Sequence, residues 1–450
     1  MKRIFGTDGV RGIVNEDLTP ELTFRLGKVY GWIIQSKHPT HCRVLIGRDT
    51  RLSCGMLESA LTAGLTSQGV NVLLIGVIPT PGLAFLTRTE GFNAGAMISA
   101  SHNPAEYNGI KFFSHDGFKL TDQEELQIER SLSEYEKIRF PTLIHRDLGT
   151  AECDKGLSTK YFEHLRNIEK ISLNGLRVIL DLANGATYTI APRLLSSLGA
   201  DVVTIADKPD GMNINSNCGS THLENLQKAV LNQQAHLGLA FDGDGDRLLA
   251  VDENGETVDG DQIMLITALE LARNGKLRNN LLVTTIMSNY GLEEALQQNH
   301  ITLKRTNVGD KLVVGEMIRS GAVLGGEQSG HIVFLDYNTT GDGLITAVKL
   351  LATLKRSGGK LSALATGMKH YPQVQINVKV NKTENWNQTS EAQTAISNAE
   401  RQIKGNGRIV VRASGTEPVI RIMVEGKDIT LINKIAKDLA DSIRTKSEKQ

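Results

Sequence analysis

The stretch DGDGDR at 242–247 sets a carboxylate at every second residue, with glycines between. In an extended segment alternate side chains share one face, so Asp242, Asp244 and Asp246 are expected to converge on one ion. Three hard oxygen ligands suit Mg²⁺ or Ca²⁺, and magnesium commonly leaves coordination positions for water and phosphate. Two other readings stand beside a magnesium site. One is a solvated acidic turn. The other is a helix–loop–helix calcium loop, because Glu253 falls at the twelfth position from Asp242. That loop needs glycine at its sixth position, where Arg247 stands, and helical flanks, where LGLAF and LLAVD read as strands. Magnesium is the favoured reading, with Arg247 beside it to hold a phosphate oxygen.

Other loops have the chemistry of anion and hydroxyl binding. In RASGTEP (412–418), Ser414, Gly415 and Thr416 can offer N–H groups and hydroxyls to an anion. Arg412 and Arg421 flank them with guanidinium forks that match phosphate; an ordinary β-turn with incidental arginines is the plain alternative. GEQSGH (326–331) presents Glu327, Ser329 and His331 between glycines, a pattern suited to sugar hydroxyls and equally to a surface turn. FGTDGVRG (5–12) sets Thr7, Asp8 and Arg11 among glycines that permit a close backbone approach, with Arg11 as a phosphate contact or the whole as a tight turn. TNVGDK, with Asp310 and Lys311, is a fainter signal of the same kind.

Ser101 lies in ISASHNP (98–104), just past the apolar run AGAMIS. A serine-hydrolase nucleophile would require G-x-S-x-G at a strand-to-helix elbow, and the flanking glycines are missing. His102 is expected to diverge from Ser101, as neighbouring side chains do. Carboxylates and arginines fit phosphoryl transfer instead, where catalysis is mainly positioning and charge neutralisation. Ser101 is then a phosphate carrier, and its phosphate, with about −1.5 to −2 charge, is a natural ligand for the metal.

The elements that must position these loops follow from periodicity. Thr19 caps a helix with Pro20 in its first turn, and Leu22, Leu26, Val29, Tyr30 and Ile33 recur at helical spacing. Strands RVLIG, VNVLLIG and AGAMIS alternate with helices, and the pattern restarts at LRVILDLANGA and again after about residue 258. Alternation of this kind implies α/β domains with mainly parallel mixed sheets, three of them here. The last stretch differs: QVQINVKV alternates polar and apolar, and a final amphipathic helix carries Ile429, Ile432, Ile435 and Leu439, an α+β domain. The expected domains are 1–150, 151–256, 257–368 and 369–450. Four apolar runs (AGAMIS, LGLAF, GAVLG and GRIVV) each end in one of the polar loops. Ligands of open α/β sheets bind beyond the carboxyl ends of strands, so the four domains are expected around a central cleft.

Bulk properties bound the partners. With 450 residues, 40% apolar, the chain can build several cores. Lysine plus arginine and aspartate plus glutamate number 50 each, which gives no electrostatic case for nucleic acid or an anionic membrane. Cys42, Cys54, Cys153 and Cys218 have no CxxC spacing and read as free thiols in a reducing compartment. No long apolar segment follows the basic N-terminus and none is long enough to span a bilayer, so a cytoplasmic protein is expected.

Taken in order, FGTDGVRG, ISASHNP, DGDGDR, GEQSGH and RASGTEP resemble the α-D-phosphohexomutase family across the whole chain. The resemblance implies a four-domain isomerase with phosphoserine at Ser101 and one Mg²⁺ per chain, held by Ser101, Asp242, Asp244 and Asp246. It implies sugar hydroxyls at Glu327 and Ser329, with His331 in the same loop, and a distal phosphate on Arg412, Ser414, Gly415, Thr416 and Arg421. Lys111 and His102, with Arg11 and Arg247, are candidates for acid–base or charge roles at the reacting group. The implied reaction interconverts glucosamine 6-phosphate and glucosamine 1-phosphate, feeding UDP-N-acetylglucosamine and cell-wall precursors, with glucosamine or glucose 1,6-bisphosphate as priming intermediate. The choice of sugar rests on FGTDGVRG and Gln328. The implied partner is a small sugar phosphate, with no nucleic acid or membrane, in a monomer or homodimer. A glucose or mannose phosphate mutase, a metal-dependent sugar phosphatase and a silent sugar-phosphate binder are the rival readings.

Overall fold

A computed structural model describes residues 4–6, 8–38, 42–380, 390–413 and 419–447. The chain packs as two compact units, residues 1–285 with 304–366, and residues 286–303 with 367–450.

The first sheet of the larger unit has seven strands: β1 (Phe5–Gly6), β2 (Gly9–Ile13), β3 (Arg43–Arg48), β4 (Asn71–Val77), β5 (Ala94–Ile98), β6 (Tyr107–Ser114) and β7 (Ala151–Cys153), ordered β1-β2-β6-β5-β3-β4-β7. The strands from β5 to β7 are parallel, as alternation with helices predicts, while β6, β2 and β1 join antiparallel. β7 lies in this sheet, which therefore runs to Cys153. Within FGTDGVRG the tight-turn alternative does not hold for the whole stretch, since Gly9–Ile13 pairs with β6.

The second sheet comprises β8 (Arg177–Asp181), β9 (Asp201–Ile205), β10 (Leu237–Phe241), β11 (Leu248–Asp252) and β12 (Thr257–Val258), ordered β12-β11-β10-β8-β9. The third comprises β13 (Leu281–Thr285), β14 (Thr302–Thr306), β15 (Leu324–Gly326) and β16 (Ile332–Phe334), ordered β14-β13-β15-β16. In each sheet the buried strand before the polar loop is parallel to one neighbour and antiparallel to the strand that follows the loop: β5–β6, β10–β11 and β15–β16. The chemistry-bearing loops are therefore hairpin connections whose two ends are held by one ladder.

Helix formation follows the sequence closely. The helix Pro20–Lys37 begins at Thr19, whose hydroxyl accepts from Leu22 N–H at 3.2 Å, and buries Leu26, Val29, Tyr30 and Ile33. Among the described residues no helix is long and apolar enough to cross a membrane. The four cysteines are free, Cys153 exposed and the others buried.

The smaller unit contains an antiparallel sheet of β17 (Gln373–Lys379), β18 (Gly407–Ala413) and β19 (Val419–Gly426), ordered β17-β19-β18. Ile432, Ile435 and Leu439 of the helix Ile429–Ser447 pack on Val378, Ile420, Ile422 and Val424. Ile429, expected on that face, starts the helix and is 50% exposed.

Candidate functional site

Ser101 follows the fully buried β5 and is itself buried. Its hydroxyl donates to Asp242 Oδ2 at 2.6 Å, across from the first sheet to the second. Its backbone is left-handed, with φ +53. That turn swings His102 back, so that its Nδ1 is 3.3 Å from Ser101 Oγ. The expected divergence of the two side chains is thus corrected: it holds for extended backbone, not for this conformation. Burial, then the nearby cations of Arg247 and Arg11, push the His102 imidazole down to about 4.

Asp242, Asp244 and Asp246 are all buried, and one carboxylate oxygen from each lies within 4.8 Å of the others. They converge through a turn with Gly245 at φ +72, not through the alternation of an extended strand. At Gly243 a Cβ would sit 2.6 Å from Ser101 O, so only glycine lets the aspartate loop approach the serine loop this closely. The calcium-loop alternative fails. The flanks are β10 and β11, and Glu253 lies elsewhere, accepting hydrogen bonds from Ser362.

Two charged networks surround the triad. Lys111, on β6 and 1% exposed, places Nζ 2.7 Å from Asp244 Oδ2, 2.9 Å from Asp8 Oδ2 and 3.5 Å from Asp246 Oδ2. Burial opposes the charge on Lys111, but Asp244, Asp8 and Asp246 outweigh it and hold the amine well above the usual lysine range. Burial likewise opposes the Asp244 carboxylate, and Lys111 with the Thr80 hydroxyl, 2.5 Å away, keeps it below its ordinary value. Asp242, without such a cation in contact, is pushed up by burial and by Asp246 and Asp244. In the second network, Lys119 bridges Asp8 and Asp310, Arg11 pairs with Asp8, and Lys311 pairs with Glu125. TNVGDK thus supplies struts of this network.

The donor set fits a divalent cation. Asp244 Oδ1 and Asp246 Oδ1 are buried and receive no hydrogen bond, an expensive state for carboxylate oxygens unless a cation satisfies them. Arg247 stays partly exposed, its Nε 4.0 Å from Asp246 Oδ1.

The GEQSGH loop leaves Glu327 and Ser329 partly exposed, Ser329 Oγ lying 3.5 Å from Glu327 Oε2, while Gly309 N–H donates to Glu327 Oε1 at 3.3 Å. Gln328 donates to Asp259, the N-cap of the helix Gly260–Arg273, at 3.0 Å. His331 does not present itself as expected. It is 5% exposed, with Nε2 3.8 Å from Asp310 Oδ2 and its ring packed on Gly341, where a Cβ would lie 2.5 Å from it. In the smaller unit Arg412 and Arg421 face each other as cross-strand partners on β18 and β19; burial and then the Arg421 charge lower the Arg412 guanidinium. Ser414, Gly415 and Thr416, like Thr7, lie outside the described residues.

Sequence reasoning missed Thr80, Lys119, Asn215 and the pair Asp49–Arg51. The last had a usable signal: GRDTR is also a polar loop ending an apolar strand, β3. For Lys119 and Asn215 no local pattern marks a buried role.

A buried aspartate triad thus faces a serine at the end of a parallel strand in a unit of three mixed α/β sheets, while the smaller unit has an antiparallel sheet and helices, and comparison with known proteins gives the class of this architecture. Models of phosphoglucomutase/phosphomannomutase alpha/beta/alpha domains I, II and III match residues 2–139, 159–255 and 259–371, and the C-terminal domain model matches 376–442. The chain belongs to the phosphoglucomutase/phosphomannomutase family.

Within it, the chain is 52% identical over 449 residues to phosphoglucosamine mutase of Thermoanaerobacter sp. (strain X514), covering 99% of this chain and 100% of that one. It is 48% identical over 447 residues to phosphoglucosamine mutase of Staphylococcus aureus (strain JH9), covering 99% of each. Among solved structures, a phosphoglucomutase/phosphomannomutase family protein from Burkholderia thailandensis matches with TM-score 0.82 at 24% identity, over 100% of this chain and 98% of that one. Aspergillus fumigatus N-acetylphosphoglucosamine mutase, solved with GlcNAc-6P and magnesium, matches with TM-score 0.69 at 17% identity, over 98% and 95%. At these identities the structural matches speak for the fold alone.

Proposed function

We propose that this chain is an isomerase that interconverts glucosamine 6-phosphate and glucosamine 1-phosphate, with Ser101 carrying the phosphoryl group in transit. The observation that carries the reading is the 2.6 Å bond from Ser101 Oγ to Asp242 Oδ2, beside the other two buried aspartates. Phospho-Ser101 gives its phosphoryl to the free hydroxyl of the bound sugar phosphate. The sugar O–P bond forms as the serine O–P bond breaks, the sugar hydroxyl loses its proton and Ser101 Oγ gains one. The resulting 1,6-bisphosphate reorients, and its other phosphoryl returns to Ser101 by the reverse exchange. A magnesium ion held by Asp242, Asp244, Asp246 and the Ser101 phosphate would supply charge neutralisation for the transferring group.

The chain's own groups do the rest. Asp242 Oδ2 accepts from the Ser101 hydroxyl whenever the serine is without its phosphate, and so aims Oγ for the return transfer. Lys111, among three carboxylates, keeps the triad from repelling itself apart. Arg11 and Arg247 meet phosphate oxygens and His102 flanks Oγ. Glu327 and Ser329 take sugar hydroxyls, with His331 behind them, and Arg412, Ser414, Gly415, Thr416 and Arg421 take the phosphate that is not transferring.

Intact mass with peptide mapping tests this directly. A phosphate on Ser101 that exchanges with labelled glucosamine 6-phosphate is expected, together with a higher kcat/KM on glucosamine 1-phosphate than on glucose 1-phosphate. A magnesium-activated enzyme that never carries phosphate on Ser101 would sink the mechanism. Better turnover of glucose 1-phosphate would overturn the sugar, and steady release of inorganic phosphate without a bisphosphate primer would mark a phosphatase.

A further inference from the structure

A non-glycine residue enters the left-handed region at a cost, and Ser101 at φ +53 needs something to hold it there. The Arg51 side chain is fully buried, and its guanidinium is devoted to the back of the serine loop. Nη2 donates to the carbonyl oxygens of Ser101 at 3.0 Å and Asn103 at 2.9 Å; Nη1 donates to those of Tyr107 at 2.9 Å and of Pro104. Nε pairs with Asp49 Oδ2 at 2.9 Å. The same Asp49 oxygen accepts from Ser99 Oγ at 2.7 Å, and Ser99 Oγ accepts from Ser101 N–H at 2.9 Å. One buried ion pair therefore grips Ser101 at both its carbonyl and its N–H. From the second sheet's side, Asn215 Nδ2 donates to Ser101 O at 2.9 Å and to Asn103 O at 3.0 Å.

We propose that Arg51, anchored by Asp49, and Asn215 are positioning residues for phosphoryl transfer: together they fix the left-handed backbone of Ser101 from behind and so hold its Oγ toward Asp242. The inference rests on the phosphoserine reading above. Neither residue acts on Oγ itself; both act on the peptide that carries it. Arginine is required because a planar fork with five donors can serve four carbonyls and a carboxylate together, whereas a lysine ammonium offers three donors from one point. Losing the fork would take one donor from each of four carbonyls and leave Ser101 O and Asn103 O held by Asn215 alone. Asn215 adds the same restraint from an independent element, and its own φ of +57 suits asparagine. Gly243, whose missing Cβ leaves room for both Ser101 O and Asn215 Nδ2, completes the packing.

The test uses the full chain with Mg²⁺ and glucose 1,6-bisphosphate as phosphoryl donor. Phosphate arriving on Ser101 is followed by quenched intact mass, alongside the Kd for glucosamine 6-phosphate by calorimetry and the melting temperature. Asn215→Gly removes the amide while tolerating the positive φ; Asn215→Asp puts an acceptor against two carbonyls. The expected result is transfer to Ser101 slowed at least about 10-fold in Asn215→Gly and further in Asn215→Asp, with Kd held within about twofold. Arg51→Lys is expected to slow transfer about 100-fold, and if it does not fold the Asn215 pair decides alone. Wild-type transfer rates in both Asn215 variants would overturn the proposal, as would a loss of sugar affinity and melting temperature in proportion to the loss of rate. A wild-type protein that never carries phosphate on Ser101 would overturn the phosphoserine reading and this one with it; a phosphorylated wild type with unimpaired variants overturns the positioning alone.

Discussion

Lys111 sets the charge balance of the site at the residue scale. Its ammonium is in contact with both Asp8 and Asp244, and Asp246 lies just beyond. Replacing it in Lys111→Met leaves buried carboxylates facing one another, and breaking a buried pair in this way typically costs about 3–5 kcal/mol. The variant is expected to unfold at clearly lower urea concentration in EDTA, and Mg²⁺ is expected to restore part of the loss by taking over as counter-charge. Equal midpoints for variant and wild type in EDTA would contradict this. Gly243 is the second sensitive position. In Gly243→Ala the new Cβ meets a backbone oxygen, which cannot step aside as a side chain would. Overpacking of this kind costs about 1–3 kcal/mol, to be read from the melting curve, and slower phosphorylation of Ser101 is expected with it.

At the scale of elements, each of the loops ISASHNP, DGDGDR and GEQSGH is a hairpin between a parallel strand and the antiparallel strand after it, so both ends of the loop are fixed by one ladder. Helix ends supply the remaining fixed points. Asp342 caps the helix Gly343–Ser357, accepting from Leu344 and Ile345 N–H at 3.0 Å each, and accepts from Tyr161 Oη at 2.8 Å and Asn338 Nδ2 at 3.0 Å. Burial overcomes these bonds and pushes its carboxyl up to about 6. A carboxyl raised in the folded state binds its proton more tightly there than in the unfolded chain. Its stabilising contribution is therefore complete below the unfolded value near 4 and is lost as pH rises through 6. An asparagine at this position would cap the helix without titrating, so in Asp342→Asn this loss is expected to vanish. Urea midpoints at about pH 4 and pH 7 should show wild type losing about 2–3 kcal/mol relative to the variant. A constant difference between the two proteins would refute the assignment.

Across the larger unit, ion pairs tie segments far apart in sequence: Lys119 to Asp8 and Asp310, Lys311 to Glu125, and Lys349 to Glu169. Lys119 is the junction, since it joins the N-terminal hairpin to the helix Asp310–Ser320. Lys119→Met removes one cation from two carboxylates that are 20% and 13% exposed, and a loss of about 1–3 kcal/mol, below that of a fully buried pair, is expected in chemical denaturation. A loss of less than about 1 kcal/mol would show that solvent already screens the cluster.

Local pattern was enough to mark the loops. An apolar run followed by carboxylates, hydroxyls or arginines among glycines is a feature of adjacent residues, and so Ser101, the three aspartates, Glu327 and Ser329 could be singled out, as could most strands and the cap at Thr19 with Pro20 after it. β6 escaped notice because YNGIKFFS is buried on both faces and has neither alternation nor a bland apolar run; a lysine in its middle argues against burial. That lysine can be buried only because Asp8 and Asp244 arrive from other parts of the chain, and the balance between desolvation and pairing is decided by such distant partners. Likewise His102 reaches Ser101 only through a left-handed backbone that Arg51 and Asn215 hold. The sequence by itself determined which groups could carry phosphate and metal. The tertiary structure decided how they are aimed, because direction and charge state depend on contacts between residues that no local spacing connects.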